Sequence, residues 1–177
     1  MKYCKHIALA LLFSISTPEL AKAQLTCDLQ HVSNCRNINV LMSPSLGRKI
    51  HLFLRDITYS TNNRTFPAAE IASMYLGGAP NPRVDIENLS IFTACQPHNC
   101  TSRAGIIFNK SNEIVSIFLY EPEKIDPENF HPLTYKATIY KVSGDYVNKE
   151  TIRRIMISDL NNDNLHITGI DIKVKEL

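Results

Sequence analysis

After its first residues the chain has no apolar run long enough to cross a bilayer, which takes about 20 residues as a helix, so no membrane anchor is expected. It has no basic tail, no acidic block and no stripe of interleaved aromatic and basic residues, which are the footprints of a nucleic-acid binder. Internal repeats and low-complexity tracts are missing as well. No serine stands in a nucleophile-elbow pattern, and no paired-histidine metal motif occurs. These absences weigh against nucleic-acid, membrane and hydrolase functions. A binding protein without a cofactor is expected, not an enzyme.

What is present begins with an export signal. Lys2 and Lys5 give a positive start, Ile7 to Ile15 is apolar, and Pro18 breaks the run. Ala21-Lys22-Ala23 then places small residues where a signal peptidase reads, so residues 1–23 are expected to be a cleaved leader. Gln24-Leu25-Thr26 before Cys27 does not form the small-residue box of a lipoprotein. The 177 residues carry 19 Lys and Arg against 17 Asp and Glu, a net charge of +2. The leader holds Lys2, Lys5 and Lys22 against Glu19, also +2, so the mature chain is close to neutral. Removing 23 residues leaves 154, enough for one domain with its own core.

Cysteine use agrees with export. Cys4 leaves with the leader, and Cys27, Cys35, Cys95 and Cys100 remain, an even number for an oxidising compartment. Four cysteines allow three pairings, and Cys27 with Cys35 and Cys95 with Cys100 is the simplest. A metal site of Cys95, His98 and Cys100 offers too few ligands for a closed zinc centre, and no metal is expected.

The remaining pattern predicts an α+β domain. Residues 24–59 are expected to be a polar N-terminal segment followed by a helix. Leu46, Ile50, Phe53, Leu54 and Ile57 recur at helical spacing, and Ser43-Pro44 suits a helix start. Residues 60–177 are expected to form the α+β domain itself. Ser60 to Thr65 reads as a polar loop, and Pro67 to Leu76 as a short helix stopped by Gly77-Gly78. Strands are expected over Leu89 to Ala94, Ala104 to Phe108, Ile114 to Tyr120 and Tyr135 to Val142. Pro122, Pro127 and Pro132 mark an irregular connection, and Asn148 to Ile157 reads as either a helix or an edge strand. Ile170, Ile172 and Val174 alternate with Asp171, Lys173 and Lys175 as a final strand. The expected architecture is an antiparallel sheet flanked by one or two helices, with a disulfide-closed loop projecting from a strand end.

That loop is Cys95-Gln96-Pro97-His98-Asn99-Cys100. A ring this small stabilises the fold by only about 2 kcal/mol in the chain-entropy model, so its larger effect is on shape. Pro97 locks a backbone angle before His98, and a rigid loop loses less freedom on docking. Other constellations are weaker. Thiol oxidoreductases place two residues between their cysteines above a helix start, whereas four intervene here. Asp126, Glu128 and His131 lie in a proline-broken stretch that reads as an exposed loop. Asp159, Asn161, Asp163 and Asn164 lack the glycine and terminal glutamate of a calcium loop. Asn63, Asn88 and Asn99 stand in glycosylation sequons, which matter only in a eukaryotic secretory pathway.

Ile91-Phe92-Thr93-Ala94 followed by Cys95-Gln96-Pro97-His98-Asn99-Cys100 resembles the signature of the inhibitor of vertebrate lysozyme (Ivy) family. That family carries a Cys-Lys-Pro-His-Asp-Cys loop after an apolar strand. The likeness continues through Ser102-Arg103, the strand from Gly105 to Phe108, Lys110-Ser111-Asn112 and the strand reaching Tyr120. Upstream, Phe66-Pro67-Ala68 and Gly77-Gly78 resemble the proline and glycine positions before the family's loop. The likeness fades after about Glu123 and does not extend residue by residue before Ser60. Gln96 stands where the family has lysine and Asn99 where it has aspartate, which removes one charge of each sign.

The resemblance implies a periplasmic protein of a Gram-negative bacterium, often a homodimer, whose partner is a C-type lysozyme. Cys95 and Cys100 would close the inhibitory loop, Pro97 would shape its tip, and His98 would enter the cleft between the two catalytic carboxylates. A retaining glycosidase sets one carboxyl as acid and the other as nucleophile on either side of the scissile bond. An imidazole between them can bond both, and two neighbouring anions favour an imidazolium over a neutral ring. Animal lysozymes are basic, and a near-neutral chain offers little long-range steering toward them. The alternatives are a binding protein of this kind with another partner and, further off, a thiol-disulfide oxidoreductase. Intact-mass and N-terminal analysis of the exported protein is expected to place its first residue at Gln24, and an uncut chain would refute the leader.

Overall fold

The computed structural model describes residues 26–61, 63–144, 147–163, 165 and 167–177. The expected leader and Cys4 lie outside them, as does Asn164. Two short turns of helix, Val32–Asn34 and α1 (Ile38–Leu41), precede α2 (Pro44–Phe53). The side chain of Ser43 accepts from the Leu46 amide at 3.2 Å, and Pro44 occupies the first helical turn, where no amide donor is needed. Leu46 and Ile50, one turn apart, are fully buried. The Cys27–Cys35 disulfide staples the entrance to this region.

Ser60 to Thr65, expected as a loop, instead belongs to a hairpin of β1 (Thr58–Thr61) and β2 (Arg64–Pro67). Asn63 takes φ 59°, a left-handed conformation that asparagine tolerates, and the β-prone Thr58, Tyr59, Thr65 and Phe66 flank the turn. α3 (Ala68–Leu76) follows at once, with Pro67 as its N-cap.

The main sheet has the order β3 (Val84–Ile86), β4 (Leu89–Gln96), β5 (Asn99–Phe108), β6 (Ile114–Ile125), β7 (Pro132–Lys141) and β8 (Gly169–Glu176). All neighbours are antiparallel except β7 and β8, which are parallel, so the sheet is mixed. A parallel neighbour requires a crossover, and α4 (Lys149–Asn162) supplies it. The irregular connection expected around the prolines is shorter than the sequence suggested. β6 runs on to Ile125, and Pro122 sits opposite Tyr135, with a register shift between Pro122 and Lys124. A bulge of this kind is one place where a strand can hold a residue without an amide donor.

Both faces of the sheet are covered, which explains why β4 to β6 read as nearly continuous apolar runs. On one face Phe92, Ala94, Ala104, Ile106, Ile117 and Leu119 pack with α2 and α3. Residues on either side of position 60 share this core, since Val32, Ile38 and Leu41 belong to it. On the other face Ile91, Ile107, Phe118, Tyr120, Tyr135 and Ile139 pack with α4. Gly105 is required there, because the ring of its cross-strand partner Phe118 lies 2.0 Å from where a Cβ would stand. α4 is the segment whose sequence allowed helix or strand. Its buried residues, Ile152, Ile155, Met156, Asp159 and Leu160, recur at one-face helical spacing, and the Asn148 side chain caps it by accepting from the Thr151 amide at 2.7 Å.

One member of that stripe is charged. Asp159 forms an ion pair with Arg103 of β5 at 3.2 Å and accepts from Thr93 of β4 at 3.2 Å and from Tyr120 and Asn81. Arg103, 1% exposed, also donates to Asp163, the C-cap residue of α4. The stretch from Asp159, whose sequence reads as a turn, is instead the last turn of α4, with Asp163 as its C-cap. Burial first, and then the charge of Asp159, push the Tyr120 phenol well above its usual range, so it remains a donor. Asp159→Ala removes the best-buried partner of Arg103, and it is expected to cost about 3–5 kcal/mol of stability in urea melts. An unchanged midpoint would show that the pair does not hold α4 to the sheet.

Candidate functional site

Cys95 and Cys100 are bonded to each other, with Cα atoms 4.6 Å apart, at the end of the β4–β5 hairpin. The two sulfurs are thus unavailable as thiolate ligands for the metal site considered with His98. Gln96 pairs with Asn99, so the connecting turn is Pro97-His98. Proline followed by a residue at positive φ, here 62° at His98, is the pattern of a type II turn. Such a turn does not match the twist of two paired strands as primed turns do. The ladder yields accordingly: pairing jumps from Cys95–Arg103 to Gln96–Asn99, and Cys100, Thr101 and Ser102 are left unopposed on β5. The disulfide closes this bulge. Cys95 points into the protein, Gln96 is half-buried, and Pro97, His98, Asn99 and Cys100 are exposed.

The two uncharged residues of the loop are bonded locally. Asn99 accepts from the Thr101 hydroxyl at 2.6 Å, and its amide nitrogen lies 3.4 Å from both Gln96 Oε1 and Ser102 Oγ. His98 is exposed, and among the described residues its side chain makes no hydrogen bond.

The loop rests on a glycine. Gly78 follows the C-cap of α3, and a Cβ there would stand 1.9 Å from the Cys95 carbonyl oxygen, 2.8 Å from the Pro97 nitrogen and 2.9 Å from the Gln96 carbonyl carbon. Only a residue without a side chain lets the two backbones approach so closely. The chain then runs beside β4: the Cys95 amide donates to the Ala79 carbonyl at 3.1 Å, and the Asn81 amide donates to the Thr93 carbonyl at 3.0 Å. On the α4 face of the sheet, Arg103 pairs with Cys95 and carries the Asp159 network described above. The exposed tip therefore stands on a base held along the β4 edge by residues 78–81 and on the α4 face by Arg103.

Beside the loop lies a groove of about 670 Å³, walled by Gln96, Asn99 and Ser102 on one side and by Phe66, Glu70 and Met74 on the other. Glu121, only 5% exposed, contributes to its floor. It accepts from Thr61 at 2.8 Å and Tyr75 at 3.0 Å, and it pairs with Lys136 at 2.9 Å. Burial, followed by the charge of Glu121, raises the Tyr75 phenol and keeps it protonated as a donor. A second cavity of about 410 Å³ lies between β3 and α4, against the other face of the sheet, with Asn81, Thr93 and Asp159 among its lining. Their polar side-chain atoms already bond one another.

All six residues singled out in the sequence thus come together in one hairpin. Asp126, Glu128 and His131 instead form the β6–β7 turn, where the Asp126 carboxylate accepts from the Glu128 amide at 2.8 Å. The supporting residues Gly78, Arg103, Asp159 and Glu121 were not assigned those roles from sequence. A double glycine after a helix hinted at Gly78, but nothing local joins Arg103 to a carboxylate 56 positions later. Comparison of the chain with protein-family models, curated proteins and solved structures found no match. The fold and the site define an α+β domain that presents a disulfide-closed hairpin tip.

Gly78→Ala forces its new methyl into the loop backbone, and a loss of about 1–3 kcal/mol is expected, as for other overpacked sites. The amide and imidazole NMR signals of residues 95–100 should move with it. Gly47→Ala is the control, because nothing lies within 4 Å of its would-be Cβ, and alanine at this helical position should stabilise by about 0.5–1 kcal/mol. Equal stability of the Gly78 variant and the wild type would show that the glycine does not seat the loop.

Proposed function

We propose that this protein is an exported, periplasmic inhibitor of C-type lysozyme and not an enzyme. It acts by inserting the Cys95–Cys100 loop so that His98 lies between the two catalytic carboxylates of its target. The observation that carries this reading is the exposed Pro97-His98 turn on a hairpin closed by a disulfide and seated on Gly78. Such a tip is held in shape before it binds, so little freedom is lost on docking. In the complex the imidazole would bond the acid and the nucleophile together and occupy the place of the scissile bond. The resemblance of the loop and its flanking strands to the Ivy family supports the choice of partner.

The test is a lytic assay of a C-type lysozyme titrated with the mature protein, together with binding isotherms for wild type and His98→Ala. Stoichiometric suppression is expected, with negligible insulin-reduction activity. His98→Ala should melt like the wild type and lose at least about 2 kcal/mol, or roughly thirtyfold, in affinity. Equal affinity of two folded proteins would rule out the histidine's role. Catalytic disulfide exchange without any effect on lysozyme would replace the inhibitor with a thiol oxidoreductase.

A further inference from the structure

A second projection rises from the same end of the sheet. β5 and β6 are antiparallel, so Asn99 at the start of β5 and Ile125 at the end of β6 lie toward the same edge. Pairing between them stops at Arg103 and Tyr120, whereas β6 and β7 stay paired out to Ile125 and Pro132. The β6–β7 ribbon thus continues five residues past the last β5–β6 pair, about 17 Å at the usual strand rise. The groove beside the loop reaches the root of the ribbon at Glu121, on its floor.

The tip of the ribbon is unusual in what it exposes. Phe130 is 80% exposed, and Ile125 and Leu133 beside it are 53% and 37% exposed. The turn is an ordered one: the Phe130 amide donates to the Asp126 carbonyl at 2.9 Å and the Asp126 amide to the His131 carbonyl at 2.8 Å. Asn129 accepts from the His131 amide at 3.0 Å. Phe130 is held at φ 59°, a conformation that bulky residues rarely adopt. Along the hairpin segment 123–131, Glu123, Asp126 and Glu128 outnumber Lys124, an acidic excess within a nearly neutral protein.

We infer that the β6–β7 hairpin is a second contact arm for the same lysozyme, with Phe130 as its anchor and the surrounding acids as its rim. This rests on the proposed function. An exposed aromatic ringed by polar residues has the composition of an interface hot spot. Acidic groups beside it suit a basic enzyme and supply, near the point of entry, the steering that the overall charge does not. The loop then enters the cleft while the arm grips its outer surface.

The experiment compares wild type, His98→Ala, Phe130→Ala and the double variant Glu123→Gln/Glu128→Gln in equilibrium and stopped-flow binding to one C-type lysozyme. Thermal melts and sedimentation of the free proteins accompany the binding data. Phe130→Ala should melt like the wild type, because the ring is exposed, and lose at least about tenfold in affinity. The double variant should associate more slowly at low salt and match the wild type at high salt. If Phe130→Ala binds like the wild type while His98→Ala is weakened, the arm is overturned and the loop stands. If Phe130→Ala abolishes a dimer and leaves lysozyme affinity unchanged, the tip serves a second copy of the chain and the inference fails. If wild type does not bind lysozyme, the proposed function falls and the arm with it.

Discussion

A guanidinium shut away from water survives only where carboxylates meet it, and in this protein that requirement ties together the parts that matter. Arg103 lies opposite Cys95 at the base of the hairpin and faces α4, where Asp159 and Asp163 receive it. Thr93, Tyr120 and Asn81 complete the bonds to Asp159. The pair therefore links β4, β5, β6, the segment after α3 and the crossover helix at one point. Hydrophobic burial beneath α4 supplies the larger share of cohesion, but it is non-directional. The ion pair sets the register in which α4 lies over the sheet.

The hairpin above that point draws rigidity from different sources on its two faces. From the α4 side it is fixed through Arg103. From the α3 side the bare backbone of Gly78 lets the chain press against residues 95 to 97, and Glu121 gathers Thr61, Tyr75 and Lys136 beneath the neighbouring groove. Glu121 is the counterpart of Asp159: each is a buried acid on one face, satisfied by groups from several elements. Between them the β4–β5 turn is free to be exposed, strained at His98 and chemically simple. The contacts that fix the hairpin lie at its base, and its tip is left exposed.

Local signals were enough for much of this. The spacing of Leu46 and Ile50 behind Ser43-Pro44 specified α2, and the alternation from Ile170 to Val174 specified β8. The proline and glycines around α3 marked its limits, and the nearness of Cys95 to Cys100 made their pairing the simplest one. Where local and long-range preferences conflicted, the reading went astray or stayed open. Ser60 to Thr65 is polar and short, yet it folds as a hairpin because its neighbours are β-prone and Asn63 accepts a left-handed turn. Pro122 reads as a breaker but is absorbed by a bulge. Residues 149–157 are rich in isoleucine, and only the stripe through Met156, Asp159 and Leu160 makes them a helix.

The sequence by itself determined the α+β class, the positions of β4 to β8 and the composition of the exposed loop, because these depend on propensity, periodicity and spacing over a few residues. Tertiary structure alone decided that β8 joins β7 in parallel, that Arg103 meets Asp159 across 56 positions, and that Gly78 lies under the loop. It also placed the Phe130 tip at the same end of the sheet as His98. Each of these is a meeting of segments distant along the chain, set by how two covered faces of one sheet are packed, and no local pattern encodes which distant partner a buried group will find.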